Sequence, residues 1–88
     1  MRLNDKMTWK QQLLVITMEE CGELTQACSK IARFGFEPDH VFELAKEAGD
    51  VLCMIDLMVE FGWITQDMLD NRIPIKRNKL KIYSDILR

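Results

Sequence analysis

Turn-forming residues are scarce in this 88-residue chain, which has only four glycines and two prolines. That is too little punctuation for the many turns of an all-β fold, and it favours long helices. No apolar run nears the roughly 18 residues of a membrane span. The longest, Val51 to Val59, is broken by Asp56. The stretch Met1-Arg2-Leu3-Asn4-Asp5-Lys6 is too polar for a secretory signal, so a cytoplasmic location without a membrane partner is expected. Cys21, Cys28 and Cys53 form no C-x-x-C and each falls within a helical pattern. They read as small apolar residues in a reducing compartment, not as zinc ligands or a redox pair.

What is present is ordinary in amount and uneven in placement. At 48% hydrophobic and 30% charged the chain is too apolar for disorder, and its length predicts one domain, 1–88. Residues 1–70 hold thirteen acids against six bases, a net −7, whereas 71–88 hold Arg72, Lys76, Arg77, Lys79, Lys81 and Arg88 against Asp85, a net +5. An acidic body with a basic tail suits a metal site beside an anionic substrate. It also suits a tail that touches nucleic acid, or one that only keeps the surface solvated.

Thr8 followed three residues later by Gln11 fits a capping box, and Gly35 fits a C-terminal stop, which predicts a first helix from Thr8 to about Phe34. After a loop punctuated by Pro38, with Asp39 as N-cap, a second helix is expected from about His40 to Phe61, ended by Gly62. Thr65 predicts a cap for a short third helix to about Asn71, Pro74 a break or kink, and Ile75 to Leu87 a last turn or two. Because the second helix is apolar almost all round from Val51 to Val59, it needs cover on several sides. The expected fold is all-α: two long antiparallel helices plus one or two short C-terminal ones, forming a four-helix-bundle-like core through oligomerisation.

The carboxylates conflict with this apolar pattern. At about 100° per residue, Glu20 lies on the face of Leu13, Leu24, Ala27 and Ile31, with Glu23 beside it and Glu19 flanking. On the second helix Glu43, Glu47 and Asp50 share a stripe that continues as Met54, Leu57, Met58 and Phe61. Like charges at helical spacing repel, and a core that tolerates several of them needs a cation. Oxygen-only ligands favour magnesium, manganese or calcium over zinc or copper. A di-iron bundle would need E-x-x-H on two helices, and the one instance here, Glu37 to His40, sits at the Pro38 loop. Ordinary surface acids on amphipathic helices remain the alternative.

Glu19-Glu20-Cys21-Gly22-Glu23 reads E-E-x-x-E, and Glu47-Ala48-Gly49-Asp50 reads E-x-x-D. With the stretches MEECGELTQACSK and ELAKEAGDVLCMI, residues 9 to 62 resemble the MazG-like members of the all-α NTP pyrophosphohydrolase superfamily. The resemblance implies a hydrolase that splits nucleoside triphosphates between the α and β phosphates. It implies Mg2+ (Mn2+ as a substitute) on Glu20, Glu23, Glu47 and Asp50. Glu19, the first glutamate of the motif, would orient water, reach a second metal or act as general base. A homodimer or homotetramer with sites between subunits is implied too. Lys30, Lys76, Arg77, Lys79 and Lys81 are candidates for phosphate contact, and Trp9, Phe34, Phe36, Phe42 and Trp63 for base stacking. Sister families act on dUTP, dCTP or a phosphoribosyl-ATP intermediate. Competing readings are a non-catalytic helical partner-binding module, a pyrophosphohydrolase for another nucleotide such as an alarmone, and a nucleic-acid binder. The last is disfavoured by the acidic body and the lack of a helix-turn-helix or RNA-binding signature.

Overall fold

A computed structural model describes residues 6–87; Met1 to Asp5, and Arg88 of the basic tail, lie outside it. Three helices, α1 (Trp9–Phe34), α2 (Pro38–Glu60) and α3 (Gln66–Tyr83), make up the regular structure of the described residues. The all-α expectation holds. The chain divides into two compact units, the first ending at Asp56 and the second beginning at Leu57.

The first unit is the α1–α2 hairpin. Thr8 caps α1 as its sequence foretold: Thr8 Oγ1 accepts from the Gln11 N–H at 3.2 Å, and Gln11 Oε1 accepts from the Thr8 N–H at 2.9 Å. At the other end the Gly35 N–H reaches the Ile31 carbonyl at 2.8 Å, and Gly35 takes φ +92, which an L side chain rarely adopts. The start of α2 differs from expectation. Asp39 is not the cap but lies in the first turn, and Pro38 opens the helix. Its missing N–H costs nothing there, because the first N–H groups of a helix have no partner inside it. The first bond instead runs from Val41 N–H to the Glu37 carbonyl at 3.0 Å.

Residues 35–37 are the whole connection, so α1 and α2 run antiparallel and moving up one helix matches moving down the other. Glu20 meets Asp50 and Glu47, while Ala27 and Lys30 share a cleft with Glu43 and Lys46. Leu13, Ala27 and Ile31 on α1 and Met54 on α2 are the buried apolar residues among those described. Leu13, Glu20 and Ala27 are spaced by sevens, as are Glu47 and Met54, so each helix places a carboxylate in its core-facing stripe.

In the second unit, Gly62 ends α2 as expected. Its φ is +76, its N–H meets the Val59 carbonyl at 3.0 Å, and the Trp63 N–H meets the Met58 carbonyl at 2.9 Å. This paired arrangement satisfies the last carbonyls of the helix. Thr65 then caps α3 by accepting from the Met68 N–H at 3.2 Å. The third helix does not stop near Asn71 and Pro74 does not break it: α3 is one 18-residue helix through Pro74 to Tyr83. A proline inside a helix removes one hydrogen bond, here to the Asp70 carbonyl, and the turns on both sides keep theirs. No residue of α3 is buried.

Candidate metal centre

α1 carries Glu20 and Glu23 one turn apart, α2 carries Glu47, and the antiparallel hairpin faces them toward one another. One carboxylate oxygen from each lies within 4.8 Å of the other two. Asp50 stands against Glu20 as well. All four carboxylates that the sequence singled out as ligands are thus drawn together in the first unit.

Glu23 is exposed, but Glu47 and Glu20 have surroundings unusual for anions. Glu47 retains only 2% of its surface exposure. Its Oε2 is buried with no hydrogen-bond partner, and so is Oε2 of Glu20. Burial raises the Glu20 pKa above 4.5, and the negative charges of Asp50, Glu23 and Glu47 raise it further, as does a hydrogen bond to Asp50. When both are ionised, Glu20 and Asp50 each offer only acceptors, so a proton or a cation is required to link them. Buried carboxylate oxygens without partners, convergent with a third carboxylate, fit a hard divalent ion with oxygen ligands.

One cation already contributes. Lys46 Nζ lies 3.7 Å from Glu47 Oε1. Its pKa is raised, first by Glu43 and then by Glu47, so its ammonium form is favoured. Beside the carboxylates is an open cleft of about 200 Å³ lined by Glu23, Gln26, Ala27, Lys30, Glu43, Lys46 and Glu47. Lys30 therefore borders the acids, as the sequence led one to expect. Gln26 and Lys46 were not among the candidates read from sequence, and Glu43 was read only as part of the acidic stripe on α2. The available signal was the Glu43–Lys46 spacing of three, which puts the pair one turn apart.

The remaining candidates are placed less centrally. Glu19 is half-buried on α1 and is not among the carboxylates within reach of one another. Lys76, Arg77 and Lys79 are exposed on α3, in the second unit. Among the aromatics, Trp9, Phe34, Phe36 and Phe42 are exposed, and Trp63 is half-buried. Phe34 is engaged by Arg33, 5.0 Å from its ring centre, and by the His40 ring at 6.2 Å. Half-buried His40 also sets Nδ1 3.3 Å from the Gly35 carbonyl, so it pins the hairpin loop. A separate apolar groove of about 470 Å³ is lined by Cys28, Ile31, Ala32, Phe36 and Leu44.

No described helix is long and apolar enough to cross a membrane. Compared with family models, curated proteins and solved structures, the chain finds no match.

Proposed function

We propose that this chain is a magnesium-dependent nucleoside triphosphate pyrophosphohydrolase of the MazG-like kind. The observation that carries the reading is the convergence of Glu20, Glu23 and Glu47, with two buried carboxylate oxygens that have no partner. An ionised carboxylate buried without a partner is costly, and a bound cation offsets that cost. Glu20, Glu23, Glu47 and Asp50 would hold the ion. When bound, Mg2+ (or Mn2+) supplies charge neutralisation for phosphate oxygens and a lowered pKa for a coordinated water.

The chain's own residues do the rest. Glu47 and Glu20, fixed on long helices, hold the ligand geometry rigid. Lys30, at the edge of the cleft, meets phosphate oxygens of the substrate. Glu19, outside the converging group, is the carboxylate left to orient the attacking water or take its proton. Water adds across the α–β anhydride, giving nucleoside monophosphate and pyrophosphate with release of a proton, and no covalent nucleophile is needed.

Four buried apolar residues among those described are few, while fifteen large hydrophobic residues are exposed, so a homodimer or homotetramer completing a four-helix-bundle core is part of the same reading. The decisive test is pyrophosphate release from a panel of NTPs and dNTPs with magnesium, comparing wild type with Glu47→Gln. Magnesium-dependent release that is lost in the variant is the expected result. No release from any nucleotide by folded wild-type protein removes the hydrolase reading and favours a partner-binding helical module.

A further inference from the structure

Lys46 joins an exposed side chain to a buried carboxylate. Its Nζ sits 3.7 Å from Glu47 Oε1, yet its side chain is 58% exposed while that of Glu47 is 3% exposed. One end of the ion pair is buried and fixed, and the other is a long stem in solvent with many rotamers to choose from. Neighbours in a helix point about 100° apart, so the contact exists only because the lysine stem curls round toward the carboxylate. Lys46 also lines the cleft that Lys30 lines.

That cleft, at about 200 Å³, is smaller than the roughly 300–1,000 Å³ of pockets that enclose a whole drug-sized ligand. Its lining is mostly charged or amide side chains. It suits the phosphate chain of a nucleotide and not the base. A divalent cation and an ammonium also compete for Glu47, because both are stabilised by the same buried carboxylate.

We propose that Lys46 is an exchangeable counter-ion: it neutralises Glu47 in the metal-free chain and, when a divalent cation takes that carboxylate, turns its ammonium to a phosphate of the bound nucleotide beside Lys30. The proposal rests on the pyrophosphohydrolase reading and assigns the phosphate subsite within it. Competition for Glu47 and attraction for phosphate make opposite demands on one side chain. Removing Lys46 therefore strengthens metal binding and weakens nucleotide binding, a pair of signs that a purely structural residue would not produce.

The experiment measures magnesium binding by titration calorimetry with MgCl2 alone, and the KM and kcat of pyrophosphate release, for wild type, Lys46→Gln and Lys46→Arg. Lys46→Gln is expected to bind Mg2+ about two- to fivefold tighter, through loss of a competing positive charge. Its KM is expected to rise about tenfold, as one charge-assisted hydrogen bond is lost, with a smaller change in kcat. Lys46→Arg recovers most of the KM. If wild type hydrolyses nucleotides but Lys46→Gln leaves KM unchanged, or leaves Mg2+ binding unchanged or weaker, the role of Lys46 is overturned while the hydrolase reading stands. If wild type hydrolyses none, both fall.

Discussion

Glu20 and Glu47 concentrate the energetic conflict of the molecule into a few ångströms. Each has a buried oxygen without a hydrogen-bond partner, and Glu47 is nearly inaccessible. Leaving the nearly inaccessible Glu47 oxygen without a partner is destabilising, and more so when it is charged. The pKa of Glu20 shows how the metal-free chain relieves this. Its folded value is raised above 4.5, first by burial and then by Asp50, Glu23 and Glu47, so the folded state holds its proton more tightly than the unfolded state does. Stability from this group is therefore present at low pH and declines as pH rises from about 4.5 through the raised folded pKa. This is the reverse of the usual carboxylate behaviour. In EDTA, the urea midpoint of wild type should fall as pH rises above about 4.5, and Glu20→Gln should flatten that decline. An equal fall in both proteins would show that Glu20 is not its source. The carboxylate stripe was legible because a charge in an apolar repeat is a local anomaly. The Lys46–Glu47 contact was not legible, because it depends on a side-chain path that wheel positions do not encode.

Helix ends follow from short-range chemistry, which is why most were readable. Thr8 and Gln11 satisfy each other's backbone N–H across a single turn, and Gly35 and Gly62 take positive φ where other residues would be strained. Thr8→Ala should lower stability by about 1 kcal/mol, while Thr8→Ser should stay near wild type, as measured by denaturant unfolding followed by far-UV circular dichroism. An unchanged midpoint in Thr8→Ala would mean that the cap adds nothing beyond what water supplies. Two elements were misjudged for one reason. Proline was treated as punctuation at both Pro38 and Pro74, yet it is welcome in the first turn and tolerated within a helix whose neighbouring turns persist. A single residue's preference competes with the cooperative gain of the turns around it, and cooperativity is not visible at one position.

At the scale of the whole molecule, exposure is the leading fact. Phe36, Phe42, Met18, Leu52 and Ile82 are each more than half exposed, and α3 has no buried residue. Apolar surface on this scale is characteristic of association faces. Light scattering coupled to gel filtration should give twice or four times the chain mass, and dilution should lower the thermal midpoint, as mass action requires. A concentration-independent monomer with the same hydrolytic activity would count against sites completed between subunits.

The sequence by itself determined the helical class, the ends of α1 and α2's C-terminal stop, and the four acids that break the apolar repeats. Those properties depend on spacing within a few turns of one chain segment. Tertiary structure decided which acids meet. The three-residue connection sets the register of the hairpin, placing Glu47 and Asp50 of α2 against Glu20 of α1 and leaving Glu19 aside. It also brought Lys46 and Lys30 to one cleft. Helical periodicity fixes directions around one axis, and only the packing of a second axis converts those directions into distances.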